Sequence, residues 1–213
     1  MRATWESLGA GIVVACLAAT HFLGPAYAQP PDAPDLVQLE EYPIYDRVVQ
    51  SKFLTSETTL LKINRVTVTR LGEEEKPLDR GFFTENDYFN GLLQPAVLTD
   101  FLTKLRRPAR LEPRFHFGVR YRLVSDQETD DSEVSLAPIA VAARLIQYDA
   151  SVIQLEFSRV AFNVWKDQAM VYVGNYRTDG SGAGFLVLLS RREASWEVLE
   201  TEVIWTAQAP RRR

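Results

Sequence analysis

Four strand-like segments, 152–162, 168–174, 185–191 and 196–206, follow one another with only short turns between them. Parallel neighbours would need crossovers of a dozen or more residues, so this part of the chain has to fold as an antiparallel meander. The turns fall at 163–167, 175–184 and 191–195, where Asn, Asp, Gly and Ser concentrate. Residues 185–189 (Phe-Leu-Val-Leu-Leu) are apolar on both parities, which predicts a central strand covered on both faces.

The earlier part supplies the cover. Tyr42, Tyr45, Val49 and Phe53 recur at steps of three and four, one helical stripe beginning near Glu41 or Tyr42, with Pro43 tolerated in the first turn. Residues 60–71 read as a strand whose apolar parity shifts near Asn64, as a bulge would require. Short helices are predicted over 85–93, 96–107 and 137–147, and a strand over 114–124. The class is α+β: an antiparallel sheet, with a C-terminal four-strand meander, against an N-terminal helix and short helices. In outline it is similar to cystatin-like and nuclear-transport-factor-like folds, which host too many functions to decide one.

Residues 8–22 are almost all small or apolar, follow Arg2 and precede Ala26-Tyr27-Ala28. That is the pattern of a cleavable export signal cut between Ala28 and Gln29. The apolar run, interrupted by His21, is shorter than the roughly 18 residues of a membrane span. The expected product is periplasmic or extracellular, with no transmembrane segment after processing. Val13-Val14-Ala15-Cys16 offers an alternative, a lipobox, although residues 17–24 stay apolar where lipoprotein tethers are polar. The remaining chain divides into a Pro-rich spacer (29–38), one globular domain (39–207) and a disordered basic tail (208–213).

Cys16 is the only cysteine and His116 the only histidine beyond the leader. The exported chain is therefore expected to be cysteine-free, with no disulfide, no thiol nucleophile, no metal site and no cofactor. With 24 basic and 28 acidic residues and a net charge of -4, it lacks the basic excess of a nucleic-acid binder.

One cationic stretch stands out. Lys104, Arg106, Arg107, Arg110, Arg114, Arg120 and Arg122 face a single acid, Glu112, between 104 and 122. In the 114–124 strand, alternation sets Phe115, Phe117, Val119, Tyr121 and Leu123 against His116, Gly118, Arg120 and Arg122. His116, Arg120 and Arg122 are thereby predicted to bind an anion, since guanidinium pairs bidentately with carboxylate or phosphate. The acidic stretch 126–133 is the natural counter-charge, and would leave an ordinary solvated surface.

Other motifs carry less. The glycine-rich 180–184 segment leads into a strand rather than a helix, so it reads as a hairpin turn, not a phosphate loop. The acidic stretch lacks the spacing of a calcium loop. Glu200 and Glu202 are explained by a wet strand face, and Trp196, Trp205, Tyr172 and Phe185 by packing of the sheet.

The segments Phe157-Ser158-Arg159-Val160-Ala161-Phe162-Asn163, Gln168-Ala169-Met170-Val171-Tyr172-Val173-Gly174, Gly182-Ala183-Gly184-Phe185-Leu186-Val187-Leu188-Leu189 and Trp196-x-Val198 together resemble a family of secreted bacterial proteins with no established function. In that family a helix with spaced tyrosines precedes the sheet, matched by Tyr42 and Tyr45, and cysteines often occupy the glycine loop, where this chain has none. The resemblance implies export and supplies no catalytic residues. The reading is an exported protein that binds an anionic small molecule or an envelope partner, rather than an enzyme. Its alternatives are a hydrolase using His116 or a carboxylate pair, and a lipid-anchored envelope protein.

Overall fold

The computed structural model describes residues 34–71, 78–125, 152–177 and 180–208. Helix α1 (Tyr42–Lys52) follows a 3-10 turn at Leu39–Glu41 and has Pro43 in its first turn, where a missing N–H costs nothing. Its Tyr42, Ile44, Tyr45, Val48 and Val49 are all buried. Among the described residues, the main sheet has seven strands, six of them in the order β4-β2-β5-β7-β8-β9. These are β2 (Leu60–Asn64), β4 (Arg120–Val124), β5 (Val152–Phe157), β7 (Gln168–Tyr176), β8 (Gly182–Arg192) and β9 (Ser195–Ala207); β6 (Ala161–Phe162) is a two-residue addition to β7. Asp35–Leu36 (β1) and Ala109–Arg110 (β3) form a separate parallel pair.

From β5 onward every pairing is antiparallel, the meander expected from the short turns. Strand β2, by contrast, runs parallel to both β4 and β5, so the sheet is mixed though mostly antiparallel. Parallel pairing of β2 with β4 is possible because 55 residues, with two short helices among those described, separate the strands.

Two apolar layers sandwich the sheet. On one face α1 and the 109–117 segment meet Leu61, Ile63, Leu155, Phe157, Ala169, Val171, Val173, Val187 and Leu189. On the other, α2 (Arg80–Glu85), a 3-10 turn (Tyr88–Gly91) and α3 (Pro95–Lys104) meet Met170, Tyr172, Leu186 and Leu188. Successive residues of β7 and β8 thus serve opposite cores, as two-parity apolar strands require. Helix α1 packs on one face of the sheet, and a second helical layer covers the other.

Several sequence expectations change. The 152–162 strand is interrupted at 158–160, which separates β5 from β6. The 60–71 strand ends at Asn64: the parity shift marks a departure, not a bulge. Beyond it Arg65 donates to Val124 (2.7 Å), Leu111 to Arg65 (2.8 Å) and Thr67 to Ala109 (2.8 Å). The 114–124 strand begins only at Arg120, after Gly118 at φ +83°. Its alternation survives in burial, because an extended segment lying on an apolar surface alternates without a ladder: Phe115 and Phe117 are buried and His116, Arg120 and Arg122 exposed. The 85–93 helix is replaced by α2, capped by Asp79 accepting from the Phe82 N–H at 3.0 Å, and by the 3-10 turn. Asp87, Phe89 and Asn90 are left-handed there, an unusual state for a bulky residue such as Phe89. Full burial of its ring and a 3.0 Å bond from its N–H to Glu202 hold it.

Candidate functional site

Arg120 and Arg122 are exposed at alternate positions of β4, on the side away from the Tyr121 and Leu123 packing, and Lys62 is the register partner of Arg122. His116 is held elsewhere. Its N–H donates to Asp46 Oδ1 (2.7 Å), its carbonyl accepts from Gln50 (2.8 Å), and both partners belong to α1. Its ring is 86% exposed, with Nδ1 3.6 Å from Asp46 Oδ2, too long for a hydrogen bond. An acid and an imidazole do meet, yet among the described residues no hydroxyl is hydrogen-bonded to the ring. The carboxylate pair has structural partners: Glu202 takes the Phe89 N–H and Glu200 the Asn90 amide at 3.2 Å.

Burial raises the Asp46 carboxyl above its ordinary value, against the opposing pull of the His116 N–H and ring. A carboxyl raised by folding favours the folded chain below its unfolded pKa, and that contribution is lost as pH rises through the folded value. Asp46→Asn keeps the acceptor for the His116 N–H. Urea midpoints should show the variant no less stable at neutral pH, with wild type gaining on it as the medium falls from about pH 6 to pH 3. A wild-type advantage that grows with rising pH would mean that the ionised carboxylate is the favoured form in the fold.

Arginines from three chain segments gather at the β4 end of the sheet. The bonds linking Arg65 to Val124 and to Leu111 stitch three chain segments together. They bring Arg65, Arg110 and Arg122 into one open groove of about 680 Å³, with Leu111, Glu112, Pro113, Tyr121 and Leu123 completing its lining. Glu112 is engaged, donating its N–H to the Tyr42 hydroxyl (2.8 Å) and accepting from Arg114 Nε (2.7 Å). The exposed Arg65 and Arg110 guanidinium groups have no side-chain hydrogen bond or ion pair among the described residues. Of the sequence-predicted trio, only Arg122 lines this groove. Arg65 lay inside a predicted strand and outside the cationic stretch, so nothing in the sequence joined it to the others.

A second open groove lies between α3 and the 163–167 turn, lined among others by Glu40, Asp100, Lys104 and Lys166. Its charges are already matched: Lys104 pairs with Asp100 (2.8 Å) and Lys166 with Glu40. No attraction for a charged ligand is left over.

The residues behind the family resemblance build scaffold. Glu41, fully buried, accepts from Arg159 Nε (2.9 Å), the Val160 N–H (2.8 Å) and the Tyr45 hydroxyl (3.2 Å), which also contacts the Ser158 carbonyl (2.9 Å). Burial pushes the Tyr45 hydroxyl well above its usual value, so it stays protonated and bonded. Ser158 Oγ accepts the Tyr172 N–H (2.9 Å). Asn163 Oδ1 accepts from the Asp167 N–H (3.0 Å) within the turn, and Gln168 bridges Gln94 (2.8 Å) and Leu92 (2.9 Å). The aromatics pack as expected: Trp205 donates to the Tyr172 hydroxyl (3.0 Å), Phe185 meets Phe53 (5.5 Å) and Trp196, half-buried, meets Phe162 (5.9 Å).

Of the 180–184 glycines only Gly180, at φ +82°, lies in the turn between β7 and β8; Gly182 and Gly184 belong to β8, paired with Tyr176 and Gly174, so the turn is shorter than the sequence suggested. Cys16, Ala28, Gln29, the 126–133 acidic stretch, the 137–147 helix and most of the basic tail lie outside the described residues. Among those described, no three His, Cys, Asp or Glu side chains converge, and no helix is long and apolar enough to cross a membrane. No protein-family model matches the chain, and no curated protein or solved structure matches it either.

Proposed function

We propose that this chain is an exported, non-enzymatic binding domain whose ligand is an anion held by Arg65, Arg110 and Arg122. One observation carries the reading. Three arginines from separate segments line one groove, and two of them lack an acid partner among the described residues. Guanidinium forks suit carboxylate or phosphate, and exposed charges kept without partners do little for stability. Export is supported by the apolar 8–22 stretch and the Ala26-Tyr27-Ala28 site.

A thermal-shift screen of phosphates, carboxylates and acidic saccharides tests the ligand. Wild type should be stabilised by one of these classes, less so at high salt because screening weakens exposed charge pairs. Arg65→Ala with Arg110→Ala should abolish the response while changing stability without ligand by under about 1 kcal/mol. Glu112→Gln should strengthen binding by removing the like charge in the groove, and Arg120→Ala should matter less than Arg122→Ala. Equal responses from wild type and the double variant would remove the site.

Mass spectrometry of protein recovered from its native envelope tests the export reading. The N-terminus should be Gln29. An acylated Cys16 would place the protein among lipoproteins, and a retained Met1 on a cytoplasmic protein would remove the export reading.

A further inference from the structure

We propose that the groove selects an organic anion with an apolar body, an aryl or alkyl phosphate or carboxylate, over a bare inorganic anion or a polyanion. This rests on the anion-binding reading above and names its ligand class. The lining interleaves the two chemistries: Arg65 and Arg110, without a side-chain partner among the described residues, stand alongside Pro113, Tyr121 and Leu123. Tyr121 and Leu123 are held half-exposed because the core claims only part of each; Tyr121 meets Phe115 and Phe117 edge-on, at 5.4 and 5.6 Å. These rings fix the apolar wall, so no reorganisation is needed to present it.

Size points the same way. About 680 Å³ lies within the ~300–1,000 Å³ of clefts that take organic ligands, and is far more than one tetrahedral oxyanion fills. An inorganic anion would satisfy the arginines and leave the apolar wall wet. Covering ~40 Å² of that wall corresponds to about a fivefold gain in affinity. Against a polyanion stands Glu112, an acid among the residues that line the same groove. A chain of negative charges laid along the groove would meet it, whereas a ligand with one anionic end would not.

Isothermal titration of the full chain with matched pairs tests this: phenyl phosphate against inorganic phosphate, and benzoate against acetate, with phenol as the uncharged control. In at least one pair the aryl anion should bind about fivefold or more tightly than its bare counterpart. Phenol should bind more weakly than either aryl anion, and Arg110→Ala, at an exposed position, should lose the aryl anion without loss of thermal stability. If both members of each pair bind equally, the ligand-class inference fails and the anion site stands. If none binds, the anion site fails as well. Tight aryl binding that survives Arg110→Ala places the ligand elsewhere and overturns both.

Discussion

Arg159→Ala should lower the unfolding free energy by about 3–5 kcal/mol, because it leaves an unbalanced charge inside the protein. Glu41 is fully buried, and Arg159, 12% exposed, reaches it with Nε at 2.9 Å and Nη2 at 2.5 Å. The Val160 N–H and the Tyr45 hydroxyl would still reach the carboxylate, but neither carries a compensating positive charge. The pair also fastens the start of α1 to the link between β5 and β6, so its loss loosens the helix that covers one face of the sheet. Replacing both residues with methionine should cost far less than Arg159→Ala alone, since the penalty belongs to the unpaired charge rather than to the missing bond. Urea unfolding of the single and double variants measures the coupling. A loss below about 1 kcal/mol for Arg159→Ala would mean that water screens the pair as it does at a surface.

Gly184→Ala should destabilise by about 1–3 kcal/mol, the cost of forcing atoms into a filled space. A Cβ there would sit 2.5 Å from both Cδ1 and Cε2 of Trp205. The ring cannot swing away freely: its Nε1 donates to the Tyr172 hydroxyl at 3.0 Å, and its face lies against Tyr176 with centroids 5.4 Å apart. Tyr172 donates in turn to Glu156 at 3.1 Å. Gly174 repeats the arrangement one strand away, where a Cβ would come 2.6 Å from Glu156 Cγ. In isolation Ala is the better strand residue, by roughly 0.5–1 kcal/mol, so the sign of the effect reports the clash. In a Trp205→Ala background, Gly184→Ala should cost nothing or stabilise slightly. A substitution equally harmful with and without the indole would assign the cost to the backbone instead.

Local sequence carried the strands and the stripe of α1, because period and turn length act over a few residues. The two parities of residues 185–189 in β8 foretold cover on both faces, and the alternation from Phe115 to Leu123 foretold which side chains are buried. That alternation could not tell a strand from an extended segment lying on a core, since both bury every second residue. The parallel pairing of β2 with β4 and β5 was hidden for a different reason. Partners 55 and more residues apart leave no local trace of their register. The candidate site shows the same division. Arg120 and Arg122 are fixed on one side by β4 itself, while His116 is carried off by Asp46 and Gln50 of a helix about seventy residues earlier. Arg65 joins Arg110 and Arg122 only through backbone bonds to Leu111 and Val124. Sequence determined which residues are cationic and which are apolar; tertiary contacts decided which cations share a groove, because convergence is a property of distant segments and not of spacing along the chain.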